Sequence, residues 1–357
     1  MELPVREHVP LAPLTTIALG GTARYLLRCD STAVLREGLA YARRRGLPSL
    51  ILGGGSNILF GDGEYPGLVL QMAIRGIKKE ETGRTAALRA AAGENWDPLV
   101  RTAVEEGLAG LECLSGIPGL AGATPIQNVG AYGQEVSDTI ASVEVLDRKT
   151  LEGRVLGARE CRFGYRSSTF KEEDAGRFAV TAVTFRLERG GPSPIRYPEL
   201  AAALEARGTA AHADLRTVRE TVLELRRAKS MLEDPEDPHA RSLGSFFLNP
   251  VLSRGELAAL EERSKQQGIS APVPSFAASG GVKVPAAWLV EHAGFPKGTR
   301  REGAGVSARH ALALVNYGTT SAGLLRLAEE IETAVRERFD ITLVREPVII
   351  GGGQDQG

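Results

Sequence analysis

This 357-residue chain is most easily narrowed by what it has little of. Aromatic residues make up only 5%, and the formal net charge is −1, so bulk electrostatics give no reason to expect nucleic acid or a membrane surface as partner. No apolar run approaches the ~20 residues that span a bilayer. The opening MELPVREHVPLAPL lacks the apolar core of a signal peptide. Cys29, Cys113 and Cys161 show neither metal-ligand spacing nor an even disulfide framework. The five histidines, at 8, 212, 239, 292 and 310, form no H-x-x-H or H-E-x-x-H pair, so no metal site is expected. These absences predict a cytoplasmic protein with reduced thiols. No interface signal stands out, and a monomer is expected.

Glycine, by contrast, is plentiful. Ser115 to Gly133 (SGIPGLAGATPIQNVGAYG) holds five glycines and two prolines between regular amphipathic stretches. Gly116, Gly119, Gly122, Gly130 and Gly133 permit left-handed backbone and close approach to a ligand, while Pro118 and Pro125 fix φ. The loop is poor in charge, which a solvated linker would not be, and it predicts a wall around a bound cofactor.

A second loop, GGGSN (53–57), directly follows the apolar run LPSLIL. A strand ending in three glycines exposes successive N–H groups, which form an anion nest for phosphate; a tight turn between strands is the plainer alternative. It opens no helix as a dinucleotide fingerprint would, and no Gly-Lys-Ser/Thr follows. TTIALGG (15–21) makes a third shaped loop.

Around these loops helix and strand alternate. Ser31 caps a helix through Arg45 that stops at Gly46, and 47–52 reads as a strand. Asp97-Pro98 opens a helix ending near Gly107. Strands are predicted at 142–147 and 178–188, with 189–200 as a connection. Amphipathic helices are expected at 214–229 and 319–339. A linker with two Asp-Pro steps covers 231–244, and 341–353 reads as an isolated final strand before a frayed tail.

On these loops the chain resembles the UDP-N-acetylenolpyruvoylglucosamine reductases, flavoenzymes of bacterial cell-wall synthesis, over about residues 10–351. Three further motifs match in the right order: CRFGYRSSTF (161–170), SLGSFFLNP (242–250) and LVREPVIIG (343–351). The resemblance implies an α+β, three-lobed flavoprotein with a vanillyl-alcohol-oxidase-type FAD module and a C-terminal α+β substrate domain. The lobes would be 1–75 joined by 341–357, then 76–228, then 229–340.

The cofactor is implied to be noncovalent FAD, with NADPH as co-substrate. Gly53, Gly54, Gly55, Ser56 and Asn57 would hold it from one side. Ser115, Gly116, Ile117, Pro118, Gly119, Gly122 and Ala123 would hold it from the other, together with Gln127, Asn128, Gly130, Ala131 and Tyr132. The implied reaction is reduction of the enolpyruvyl ether of UDP-N-acetylglucosamine to UDP-N-acetylmuramate.

The catalytic trio implied by the motifs makes chemical sense. When hydride adds to the terminal vinyl carbon, negative charge develops on the neighbouring carbon and its carboxylate. Arg166 offers a planar, permanently charged fork to that enediolate. Ser245 would deliver a proton to the carbon, and Glu346 helps if protonated, if it acts through a bound cation, or by orienting Arg166. Tyr197 matches the substrate-covering tyrosine of one subtype. Lys229, Asn249, Lys283 and His310 match phosphate- and sugar-binding positions.

Two other readings compete. A flavin oxidase acting on an alcohol or sugar shares this FAD module, but many of those tether the flavin through histidine, and none lies between His8 and His212. Cys113, near the glycine loop, is expected in the core rather than as a tether. The second is a nucleotide-binding or scaffold protein without activity, which the presence of Arg166, Ser245 and Glu346 argues against.

Overall fold

In the computed structural model, residues 3–278 and 280–351 are described; the end of the tail, 352–357, lies outside them. The expected caps start the helices. Ser31 Oγ accepts the Val34 N–H at 3.3 Å, and α1 (Thr32–Arg44) runs to Gly46, whose φ of 62° lets the chain turn away. α2 (Trp96–Glu105) includes Asp97-Pro98 in its first turn. The predicted connection 189–200 instead runs into a helix, α3 (Pro198–Ala206), with proline at its first position. Leu200 and Leu204, one turn apart, bury against Val218 and Val222 of α4 (Leu215–Ala228), which Asp214 caps through the Thr217 N–H at 2.7 Å.

The chain groups into two compact units. The first comprises residues 1–9, 23–54 and 66–232. Its larger sheet is antiparallel, with strand order 153–157, 140–147, 178–189, 85–91 and 77–82. A second sheet runs 6–10, 22–29, 64–72 and 49–52, the last two parallel. Leu35 and Leu39 of α1 pack with Leu27 and Leu70, while Trp96 of α2 tilts against Phe185 at 5.7 Å.

The second unit comprises 10–22, 55–65 and 233–357. Its main sheet orders 242–245, 313–316, 304–306 and 300–301, beside a small sheet of 251–252, 281–283 and 276–278. Around these lie α5 (Arg254–Gln266), α6 (Ala286–His292) and α7 (Ser321–Phe339). Thr320 caps α7, and both oxygens of Asp62 accept N–H groups of its first turn, at 2.8 and 2.9 Å.

Two expectations change. Segments 10–22 and 55–65, placed with the first lobe from sequence, group with the C-terminal region because Ile17, Leu19 and Leu59 share a core with Phe246 and Phe247. The predicted strand 341–353 shrinks to Val348–Ile350, which pairs in parallel with Ile58–Phe60. Pro347 has no N–H to extend a ladder, so 344–346 make separate main-chain contacts described below.

Candidate functional site

In the first unit, the glycine loop is held by one carboxylate. Asp97 Oδ1 accepts the Gly116 N–H at 2.6 Å, and both Asp97 oxygens are gripped by Arg219, at 2.7 and 2.8 Å. Burial pushes this carboxyl up, but the Arg219 and Gly116 bonds outweigh it and hold Asp97 below its ordinary 3.8. Main-chain bonds from Trp96, Ala121 and Gly122 pin the rest of the turn. A side chain on Gly54 would begin 2.8 Å from the Gly119 Cα, so the two glycine segments touch backbone to backbone there.

Arg226, in the last turn of α4, was not singled out from sequence. It is only 6% exposed, its Nη2 donates to the Met231 carbonyl, and its Nε has no hydrogen-bond partner. That guanidinium lies against Gly116, where a side chain would begin 3.3 Å from Nε. Among the described residues no carboxylate forms an ion pair with this guanidinium, and a buried guanidinium so placed marks a position for an acceptor or anion. Its spacing, three residues before Lys229 on one helix, was the available signal.

Arg166 stands on a tight turn in which Gly164 and Ser167 bridge, with φ of 52°. Its Nη2 donates to the Gly130 carbonyl at 2.7 Å. The buried amide of Asn128 ties this turn to the loop: Nδ2 donates to Gly164 O at 2.9 Å and Glu135 Oε2 at 2.8 Å, while Oδ1 accepts the Ser137 N–H. The structure therefore brings Arg166 to the glycine loop.

Tyr197 and Lys229 also meet here. Tyr197 precedes α3, 41% exposed, and packs edge-on against Tyr132 with ring centres 5.5 Å apart. Lys229 Nζ lies 5.8 Å from the centre of that same ring. Burial pushes the Tyr132 hydroxyl up to about 12, so it stays a neutral donor. A polar cleft of about 580 Å³ is lined by Tyr132, Gly133, Arg84, Arg186 and Arg196, and by none of Arg166, Ser245 and Glu346. Burial raises the Cys113 thiol at its wall to about 12, which leaves no thiolate to attack a ring.

In the second unit, Ser245 ends the strand 242–245, where Gly244 adopts φ of 75° and the pairing register shifts. The next residue, Phe246, accepts the Glu346 N–H at 2.9 Å, and Leu248 N–H donates to Val344 O at 2.9 Å. Ser245 and Glu346 thus sit on neighbouring segments joined through main chain. Asn57 joins them: its Nδ2 reaches the Glu346 carbonyl at 3.3 Å, and its own carbonyl accepts the Val348 N–H. Gly55 packs on the Thr15 Cα, bringing the 15–21 loop to GGGSN.

The remaining contacts predicted from sequence are engaged locally. Asn249 Oδ1 accepts the first N–H of α6, at 2.9 Å. Lys283 lies half-buried on the strand 281–283, and His310 Nδ1 accepts the Leu312 N–H at 3.0 Å, as a packed histidine would. Among the described residues, no group of three or more His, Cys, Asp or Glu could hold a metal.

Known proteins match this arrangement along its length. Residues 23–154 match the FAD binding domain family, and 235–350 match the family of the UDP-N-acetylenolpyruvoylglucosamine reductase C-terminal domain. The chain is 47% identical over 350 residues to the UDP-N-acetylenolpyruvoylglucosamine reductase of Thermobifida fusca, covering 97% of this chain and 98% of that protein. It is 47% identical to that of Streptomyces coelicolor, covering 98% and 91%. The solved UDP-N-acetylenolpyruvylglucosamine reductase of Thermus caldophilus shares the fold, with a TM-score of 0.64 at 24% identity over 98% of this chain and 99% of that one.

Proposed function

The chain belongs to the UDP-N-acetylenolpyruvoylglucosamine reductases, and on that premise we propose how its own residues carry the reaction. It is an FAD-containing oxidoreductase of peptidoglycan precursor synthesis that reduces the enolpyruvyl ether of UDP-N-acetylglucosamine. The residues present fit FAD. Gly54 and Gly119 touch backbone to backbone, so the two glycine segments form one main-chain surface that a phosphate can approach, and Arg226 Nε beside Gly116, without a hydrogen-bond partner among the described residues, offers a donor. Residues 53–57 and the loop from Ser115 to Tyr132 would hold the group without a covalent bond, since Cys113 is neutral and no histidine lies between 8 and 212.

When bound, FAD would supply the hydride-transfer chemistry, with NADPH as the source of the reducing equivalents. The chain's residues handle the rest. Arg166, positioned through Gly130 and the Asn128 brace, neutralises the charge that builds on the substrate carboxylate. Ser245 gives its hydroxyl proton to the adjacent carbon, which is basic enough to make that transfer downhill. Glu346, next to the Ser245 strand, would help if protonated, through a bound cation, or by orienting Arg166. Tyr197 covers the substrate, Lys229 and Lys283 meet its diphosphate, and Asn249 and His310 approach the sugar. We place the protein in the cytoplasm as a monomer.

The observation carrying this reading is the main-chain bond from Glu346 to Phe246, which sets Glu346 beside Ser245. NADPH oxidation should be strongly stimulated by the UDP-sugar enolpyruvyl ether, and absence of stimulation rejects the reaction. Ser245→Ala should still let NADPH bleach the flavin while slowing reoxidation by substrate about 10²–10⁴-fold. Equal loss in both half-reactions would remove Ser245 as the proton donor.

A further inference from the structure

Lys229 leaves α4 with its ammonium already occupied. Nζ lies 2.6 Å from Glu199 Oε2, and Glu199 belongs to the first turn of α3, two residues after Tyr197. The ammonium and Tyr197 share one aromatic partner, the Tyr132 ring. A single carboxylate therefore ties the covering tyrosine's helix to the cation expected to meet the substrate's diphosphate. The Lys229 and Glu199 side chains are 31% and 39% exposed, so water and ligand reach the pair. The base of the preceding segment is fixed independently, by Ser193 N–H to buried Glu112 at 2.6 Å and by Gln134 to the Ser193 hydroxyl at 3.2 Å.

We propose that Glu199 is an affinity-setting residue: an internal carboxylate standing in for the substrate's diphosphate on Lys229, displaced whenever a nucleoside diphosphate ligand binds. The proposal rests on the reading of Lys229 and Tyr197 as substrate contacts. An ammonium offers three N–H donors to both anions, but a carboxylate and a diphosphate crowded on one cation repel each other. Ligand entry must break the Glu199 bond, and the same bond re-forms as product leaves. Affinity for diphosphate ligands is therefore lower than the exposed ammonium alone would give. Neutral sugars gain nothing from this exchange, so Glu199 acts on the diphosphate portion alone.

Glu199→Gln keeps length and shape but removes the competing charge. Its Kd for UDP, and the KM for the enolpyruvyl substrate, should fall about two- to fivefold with kcat for NADPH-driven reduction unchanged or lower. Glu199→Asp, which keeps an acid at the helix start but shortens its reach, should move KM the same way and covers a folding failure of the glutamine variant. Lys229→Met should weaken UDP binding, and adding Glu199→Gln to it should change nothing further. If Lys229→Met leaves UDP affinity intact, the reading of Lys229 fails. If it weakens binding while Glu199→Gln leaves KM unchanged or raises it, the stand-in role is overturned and the reading of Lys229 survives.

Discussion

The two units hold their candidate residues by different means. In the first, Arg166 and the glycine loop depend on side chains reaching across the fold: Asp97 to Gly116 and Arg219, Asn128 to Gly164. In the second, Ser245 and Glu346 are set by main-chain bonds between 246–248 and 344–346, over the buried rings of Phe246 and Phe247. Side-chain braces can be lost by one substitution, whereas main-chain pairing survives most of them. The first unit should therefore be fragile at named residues, and the second tolerant.

The sharpest way to break that contrast is Asp97→Asn. Arg219, whose side chain is 10% exposed, would lose its charge partner, and Gly116 its strong acceptor. Removing one member of a buried pair costs up to about 3–5 kcal/mol; Asp97 is 34% exposed, so about 2–4 kcal/mol is expected here, with faster flavin release on heating. Because the folded carboxyl lies below its ordinary 3.8, its stabilisation is complete above that value and is lost as pH falls through the folded pKa. The melting-temperature gap between wild type and variant should stay flat from about pH 8 to 5 and close below about pH 4. A gap that widens in acid would contradict the pairing.

Asn128→Ala comes next. The residue is 1% exposed, with φ of 48°, and its amide makes three bonds that carry the Arg166 turn. Turnover should fall about 10–100-fold through a misplaced Arg166, with about 1–3 kcal/mol of stability lost. Asn128→Gly relieves the left-handed backbone but restores no amide bond. If it recovers full turnover, backbone conformation rather than bracing positions Arg166. Flavin bleaching by NADPH, followed separately, should change less than reoxidation by substrate.

Elements with local signals were legible in the sequence. Ser31, Asp214 and Thr320 cap the helices expected there, and a strand forms at 178–189 as expected, although the predicted alternation holds only in its second half, since 179–183 are buried throughout. α3 was missed because the Gly- and Pro-rich run before it reads as a connection, although Pro198 at its first position and the ELAAALEA that follows favour a helix. The final strand was overread because apolar content at 341–350 reflects burial of Ile341 and Leu343 in a core, not ladder pairing. Within the candidate site, the motifs named the proposed reacting side chains but not the groups that position them. Asp97 and Arg219 pair across 122 positions of sequence, and no local spacing encodes that. Grouping of 10–22 and 55–65 with the C-terminal region was hidden for the same reason.

The smallest effect tests the tolerant side. Thr16 Oγ1 donates to the Ser242 carbonyl at 2.8 Å, a side-chain bond at the start of the strand that ends in Ser245. Thr16→Val keeps the shape and removes the donor, leaving Ser242 to pair with Val315 and Phe246 with Leu312 and Glu346. A neutral bond of this kind is worth about 0.5–1.5 kcal/mol, and that much stability should be lost. Substrate-driven flavin reoxidation should stay within about twofold of wild type, because the groups fixing Ser245 are main chain. A loss as large as that of Asn128→Ala would mean that Ser245 too hangs on a side-chain brace. The two units would then differ in which residues do the bracing, and not in its kind.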